Sequence, residues 1–274
     1  MGFLHRKRSG SYAYKFTQRA TQFGENPMSV IYDVSANGTD TVVSPKTWSH
    51  TVPAGNNRLL VVQLCVQGQG ATAATVTAVT YGGVAMTKVL TSTGANATPV
   101  WKNEVTYWFL LRPAVGTGTI SATITAPTSL PDYGGYSVDF QGASQSLTPD
   151  ATGTNTSTAT GAINTSITPV AQGAYILAAI NTMNDGSTAG TVASSQTQRA
   201  NFLMSTNVNG ILAAEDTNGG VNPGATNMTF TYTGGTGFTN VLVTTAAVSI
   251  APSTSGSFRM NSLRPHPFSP GLAR

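Results

Sequence analysis

Apolar residues recur along most of this chain either at every second position or in short continuous runs. Residues 119–125 and 228–233 alternate apolar and hydroxyl side chains, which is the period of a strand with one face on a core and the other in water. Residues 59–66 and 175–180 are almost continuously apolar, which favours central strands or strands covered on both faces. The pattern therefore predicts a protein built from two kinds of strand.

Turn residues divide the region between residues 29 and 251 into two series of strands, because Gly, Pro, Asn or Ser bound most of the segments. The first series is predicted at 30–34, 47–52, 58–66, 76–81, 85–90, 104–111, 119–125 and 136–141. The second is predicted at 162–168, 174–181, 191–198, 210–215, 227–233 and 240–250. Sheets need a second layer over their apolar faces, so we expect an all-β, double-layer sandwich. Its inward residues are predicted to include Leu60, Val62, Leu64, Ile176, Ala178 and Ile180.

The two series resemble each other. Residues 47–64 align without a gap on 163–180, at an offset of 116, and Pro53 meets Pro169. At shorter offsets, two later segments also pair by pattern: 119–125 with 227–233, and 136–140 with 246–250. This similarity predicts an old duplication with halves 29–150 and 151–251, or a pseudo-symmetric sandwich. Identity is low, so chance similarity is the alternative.

Both ends of the chain differ from this body. Residues 1–28 show no clear period and interleave aromatic with basic side chains. Residues 252–274 begin with the linker-like PSTSGS and carry three prolines between 265 and 270, which excludes a helix or a central strand. We predict an extended N-terminal arm at 1–28, a body at 29–251 and a Pro-rich C-terminal arm at 252–274.

The charge is concentrated in these arms. The chain carries a net charge of +4, but residues 1–27 hold five basic residues and one acid, and residues 252–274 hold three basic residues and no acid. The body between them holds six basic and nine acidic residues. Basic arms on a near-neutral body favour an anionic partner, either a protein or a nucleic acid.

Composition excludes several classes of protein. Only 9% of the residues are charged and 29 are glycine, and no long amphipathic helix is predicted. No run of 18 apolar residues predicts a transmembrane helix, and the basic N-terminus lacks the apolar stretch of a signal peptide. We therefore expect no membrane partner. The single cysteine, Cys65, lies in an apolar strand and is expected to be a buried, inert thiol.

Candidate chemistry is sparse. The three histidines, at positions 5, 50 and 266, have no metal-ligand spacing, and the acidic residues form no recognisable pair. We predict no catalytic residues, no cofactor, no metal and no enzyme activity. Residues 181–186 could supply oxygen ligands to calcium, although their spacing misses the EF-hand pattern. Trp101, in a polar loop, and Tyr133 are the best candidates for a platform on which a sugar ring stacks, with core packing as the alternative.

Several segments follow the residue pattern of a recurring β-sandwich module. They are NNRLLVVQLCV, VTAVTYGGVAMTKV, VTYWFLLRPAVGTGTISATIT, YGGYSVDFQGA, SSQTQRANF and VLVTTAAVSIAP, between about residues 45 and 251. The chain resembles jelly-roll or immunoglobulin-like modules of phage structural proteins and secreted bacterial proteins. The resemblance implies a structural or adhesive role and supplies no catalytic residues.

These observations predict a phage virion structural protein of the capsid decoration, cement or head-fibre type. Its expected partners are other virion proteins (the major capsid protein, or tail or portal subunits) and further copies of itself. The alternative is a carbohydrate-binding or host-recognition module that takes a glycan. The residues predicted to dock on a partner are Phe258, Arg259, Leu263, Arg264, Phe268, Leu272 and Arg274 in the C-terminal arm and Arg6, Lys7 and Arg8 in the N-terminal arm.

Overall fold

The computed structural model describes residues 29–38, 44–70, 73–97, 100–125, 129–205 and 209–254. In these ranges the chain forms seventeen strands and no helix. The prediction of an all-β protein is confirmed.

Nine strands form the first half of the body. They are β1 (Ile31–Gly38), β2 (Lys46–Val52), β3 (Leu59–Gln69), β4 (Thr75–Tyr81), β5 (Val84–Ala85), β6 (Thr87–Asn96), β7 (Trp101–Leu111), β8 (Gly116–Thr125) and β9 (Ser129–Gln141). Eight strands form the second half. They are β10 (Ala151–Ser157), β11 (Gly161–Ile167), β12 (Tyr175–Asn184), β13 (Thr191–Ser194), β14 (Thr197–Ser205), β15 (Gly210–Asp216), β16 (Thr226–Thr233) and β17 (Val241–Ile250).

The strands of each half form two antiparallel sheets. In the first half, the inner sheet has the order β1-β9-β3-β7-β6 and the outer sheet the order β2-β8-β4-β5. In the second half, the inner sheet has the order β10-β17-β12-β15-β14 and the outer sheet the order β11-β16-β13. Most consecutive strands alternate between the two sheets of their half, as in a jelly roll.

The two halves share one topology. If the two-residue strand β5 is left out, each strand of the first half has a counterpart in the second at the same position in its sheet. The offset of 116 is correct for β3 and β12, because Leu59 lies beside Phe140 and Tyr175 lies beside Ile250. The pseudo-duplicated sandwich predicted from the pattern is therefore present.

The gapless alignment fails by one residue between β2 and β11. It places Asn164 opposite Trp48, yet Trp48 is buried and Asn164 is exposed. Because side chains alternate with a period of two, an offset in error by one residue exchanges the core face of a strand for its solvent face. The connections between the strands of the two halves therefore differ in length.

Three apolar cores separate four layers, where two layers were predicted. The central core lies between the two inner sheets and includes Leu59, Tyr107, Phe140 and Leu177. One outer core lies under each outer sheet. The strands that are apolar on both faces explain the difference, since an inner sheet between two cores needs them. The six predicted inward residues are all fully buried and belong to the two outer cores: Leu60, Val62, Leu64, Ile176, Ala178 and Ile180.

Buried polar contacts also join the halves. At one end of the central core, Gln67 Nε2 donates to Asn181 Oδ1 and, at 2.6 Å, to Thr182 O. At the other end, the Arg199 guanidinium donates to both carboxylate oxygens of Asp216 and lies 4.0 Å from the centroid of the Tyr32 ring. Since Tyr32 belongs to the first half and Arg199 to the second, these contacts fix the relative position of the inner sheets.

Candidate docking surface

Both ends of the described chain meet at one end of the body, which we call the basal end. Ser253 N donates to Gly142 O at 2.7 Å, and Pro252 forms an isolated bridge with Ala143. A Cβ atom added to Gly142 would lie 2.5 Å from Ser29 O, so Ser29 is also adjacent. Strand β1 begins at this end and strand β17 finishes there. The N-terminal and C-terminal arms therefore start side by side.

All ten predicted docking residues lie outside the described residues. They are Arg6, Lys7, Arg8, Phe258, Arg259, Leu263, Arg264, Phe268, Leu272 and Arg274. Their prediction stays a prediction, but the described ends show where both arms attach. The basic residues of two segments that are far apart in sequence are tethered to one end of the body. A concentration of like charge strengthens the attraction of that end to an anionic surface.

A groove of about 460 Å³ lies at the point where the two arms attach. It is lined by Ser29, Ile31, Gly55, Asn56, Gln141 and Gly142. Ile31, at the start of edge strand β1, is 58% exposed. The one large apolar side chain in the lining of this groove is Ile31.

A second concavity, which we call the basal cleft, is lined by more large apolar side chains. It has a volume of about 350 Å³ and lies between the β4–β5 turn and the connection from β7 to β8. Its apolar lining consists of Tyr81, Val84, Leu110, Leu111, Pro113 and Val115. Val84 is 56% exposed and Val115 is 55% exposed. Together the two half-exposed valines form a small apolar patch at the mouth of the cleft.

Hydrogen bonds hold the wall of the basal cleft in place. Arg58 Nε and Nη2 donate to Pro113 O at 3.2 and 3.1 Å, and Arg58 Nη1 donates to Gly55 O at 2.6 Å. Tyr81 Oη donates to Gly116 O at 2.8 Å in the same connection between β7 and β8. Because side chains from elsewhere in the chain hold these two backbone carbonyls, this wall of the cleft is preorganised.

The predicted aromatic platform is wrong. Trp101 is 3% exposed and packs against Met183 and Leu242 of the second half. Tyr133 is 1% exposed and lies in the outer core of the first half. Trp101 follows a polar loop in the sequence but is the first residue of β7 and faces the second half, so neither ring is available for stacking on a sugar.

A Ser–His–Asp arrangement is present inside the first half. His50 Nδ1 lies 3.0 Å from Ser137 Oγ, and His50 Nε2 lies 3.3 Å from Asp139 Oδ1. Ser137 Oγ also accepts the Trp48 indole N–H at 3.0 Å. All of these side chains are buried between the two sheets, and a nucleophile needs an adjacent space for the reacting carbonyl. Inside the sandwich, the arrangement gives both ring nitrogens of His50 a hydrogen-bonding partner.

In the loop at 181–186, the candidate source of calcium ligands, the Asp185 carboxylate is bonded to protein donors. Asp185 accepts hydrogen bonds from the backbone and side chains of Thr239 and Asn240, at 2.6 to 2.8 Å. Slight burial raises the pKa of Asp185, but these four donors outweigh it and hold the pKa well below its usual range. Within the described ranges, no group of three or more His, Cys, Asp or Glu side chains could hold a metal ion.

Two further buried side chains, those of Cys65 and Glu215, are ionisable. Cys65 is fully buried, as predicted, and burial raises the pKa of its thiol well above the usual value, which suppresses the reactive thiolate. Glu215 is also buried. Burial raises its pKa from 4.5 to about 7, although the N–H groups of Gln196, Ser195 and Thr229 partly oppose the shift. Both groups sit inside the packed sheets rather than beside a cleft.

Sequence reasoning missed the basal cleft. Its walls come from residues 81–84 and 110–118, and only the fold brings these segments together. The available signal was an apolar residue at each turn, namely Val84 after two glycines and Val115 between Pro113 and Gly116. A turn with an exposed branched apolar residue is unusual, because turns favour Gly, Pro, Asn, Asp and Ser.

Comparisons with known proteins identify no relative: no family, no curated protein and no solved structure matches this chain. Among the described residues there is no helix long and apolar enough to cross a membrane.

Proposed function

We propose that this chain is a structural protein of a bacteriophage particle, of the capsid decoration, cement or head-fibre type. Its four-layer body is held on the particle by the two basic arms, which dock on neighbouring virion proteins. The observation that carries the proposal is that Ser29 and Ser253 both lie beside Gly142, so that both arms leave from the basal end.

The positions of the arms favour attachment over general solubility. Two arms that start at the same place engage one surface together, and the second contact then forms at a high effective concentration. The other end of the body is left free to project. Arms at opposite ends of the body would favour a bridging role instead.

The composition of the arms supports a protein or particle surface as the partner. The C-terminal arm combines spaced apolar side chains with arginines and three prolines. Apolar anchors bind in pockets, arginines bind carboxylates, and prolines reduce the entropy lost when an extended segment becomes ordered. The body adds little attraction of its own, since its charged residues are few and several acids are buried.

Truncation of the C-terminal arm tests the proposal. The deletion should begin after Thr254, because Pro252 and Ser253 are bonded to the body. We expect the truncated protein to melt at the same temperature as the full chain but to be absent from purified particles, as measured by quantitative mass spectrometry of their proteins.

Two full-length variants separate the contributions within the arm. In one, Phe258, Leu263, Phe268 and Leu272 are replaced by Ser; in the other, Arg259, Arg264 and Arg274 are replaced by Gln. We expect the first to be excluded from particles. We expect the second to be incorporated less than the original protein at low salt, with a difference that shrinks as salt screens the arginines. Normal incorporation of the truncated protein, or a body that unfolds without its arm, would contradict the proposal.

A further inference from the structure

The basal cleft is an unfilled apolar site on the attachment end of the body. Its two exposed valines, Val84 and Val115, lie on opposite walls, and Leu110 and Pro113 contribute to the lining between them. Arg58 and Tyr81 fix the wall that carries Val115 by donating to the backbone carbonyls of Pro113 and Gly116. A preformed apolar cleft of this size accepts one or two large side chains of an extended segment.

The C-terminal arm supplies side chains of the matching kind. Residues 255–274 contain Phe258, Leu263, Phe268 and Leu272, spaced four or five residues apart. These 20 residues reach up to about 66 Å when extended. Because the arm starts at the same end of the body as the cleft, residues 255–274 are long enough to reach the cleft of a molecule that lies alongside.

The direction of the chain at its described end favours a cleft on another molecule. Ser144 N donates to Ala251 O, and Ser253 N donates to Gly142 O, so the chain runs from residue 144 towards residue 142 as it leaves. The cleft lies in the opposite direction, since Gln145 Oε1 accepts from Nε of Arg112, a residue of the cleft wall. The departing chain therefore points away from its own cleft and towards the edge strand β1.

We infer that the basal cleft binds the C-terminal segment, residues 255–274, of a second copy of this chain. The inference rests on the proposed function, in which the arms dock on neighbouring subunits, and it names one neighbour and the site. Each copy then offers one segment and one cleft, so copies associate head to tail. Contacts of this kind close into a ring or extend along a surface.

Disulfide trapping between two full-length variants tests this inference. One protein carries Val115→Cys in the cleft. The other carries a cysteine in place of one anchor, in a series of four: Phe258→Cys, Leu263→Cys, Phe268→Cys and Leu272→Cys. Cys65 is fully buried and serves as the unreactive background. Mild oxidation of each mixture is followed on non-reducing gels, because only side chains whose Cβ atoms approach to about 4 Å form the bond readily.

A matched control uses Val170→Cys. Val170 is 73% exposed and lies outside the basal cleft. We expect at least one anchor variant to form a linked dimer with the Val115→Cys protein and none to do so with the Val170→Cys protein. A Val84→Glu change on the opposite wall should abolish that dimer without lowering the melting temperature, because Val84 is largely exposed.

Three results would overturn the inference. The first is equal dimer formation with the Val170→Cys control. The second is a link that forms only when both cysteines are in the same chain, which would place the segment in its own cleft. The third is no link at any of the four anchors while truncation after Thr254 still excludes the protein from particles. In that case the arm docks elsewhere and the proposed function survives, whereas normal incorporation of the truncated protein would remove the proposed function itself.

Discussion

Replacement of Glu215 by Gln should stabilise the body above neutral pH and remove part of its pH dependence. Burial raises the pKa of this carboxyl from 4.5 to about 7. The folded state therefore keeps the proton up to about pH 7, whereas the unfolded chain releases it near pH 4.5. Stability is then highest below pH 4.5, falls as the pH rises towards 7, and stays level above it.

The size of the effect follows from the two pKa values. A rise from 4.5 to about 7 corresponds to about 3 kcal/mol, and most of it, about 2–3 kcal/mol, falls between pH 5 and pH 8. Gln is neutral at every pH, and its side-chain carbonyl can still accept the Gln196 N–H, which lies 3.2 Å from Glu215 Oε2. The difference in unfolding free energy between Glu215→Gln and the original protein should therefore grow with pH.

Urea unfolding of both proteins at pH 5, 6, 7 and 8 measures that difference. Histidines and other titratable groups contribute equally to the unfolding free energy of both proteins, so their contributions cancel. Asp185→Asn is the control with the opposite sign. Four donated hydrogen bonds lower the pKa of Asp185, so its stabilising effect is lost only in acid and should be constant between pH 5 and 8. A difference between Glu215→Gln and the original protein that does not change with pH would refute the reasoning.

Two further predictions concern the interior of the first half. Leu64→Ala should lower the unfolding free energy by about 2–5 kcal/mol, because Leu64 is fully buried in the outer core. The control is Leu203→Ala in the second half, which should lower it far less in the same denaturation experiment because Leu203 is 43% exposed. Ser137→Ala should destabilise the protein, since Ser137 Oγ forms hydrogen bonds with His50 and Trp48. If the original protein hydrolysed an ester or a polysaccharide and this change abolished the activity, the structural role of the Ser–His–Asp arrangement would be contradicted.

The existence of most strands could be predicted from the sequence because their side chains alternate or are continuously apolar. Strand β10 (Ala151–Ser157) was missed, since ATGTNTS contains one alanine and no larger apolar residue. It is an edge strand that pairs along its whole length with β17. Backbone hydrogen bonds and small side chains suffice there because the neighbouring strand β17 supplies the apolar faces.

The number of layers could not be predicted from the sequence. Continuous apolar runs at β3 and β12 are compatible both with a central strand of a two-layer sandwich and with a strand covered on both faces. The two arrangements differ in what packs on the second face of the strand. Gln67 and Asn103 illustrate the difficulty, because they are polar in the sequence yet buried, and they bond Asn181 across the central core.

The docking surface could be predicted only in part, because a tail and its attachment site are encoded differently. Apolar and basic residues spaced along a Pro-rich segment are visible in the sequence, and they predict that the arms dock on a partner. The place where the arms converge depends on a single contact region around Gly142, which joins residues 29 and 253. One wall of the cleft depends on Arg58, which donates to Pro113 O from 55 residues earlier in the chain. Local pattern carries no information on such long-range contacts, so a sequence of this kind identifies what docks more readily than where it docks.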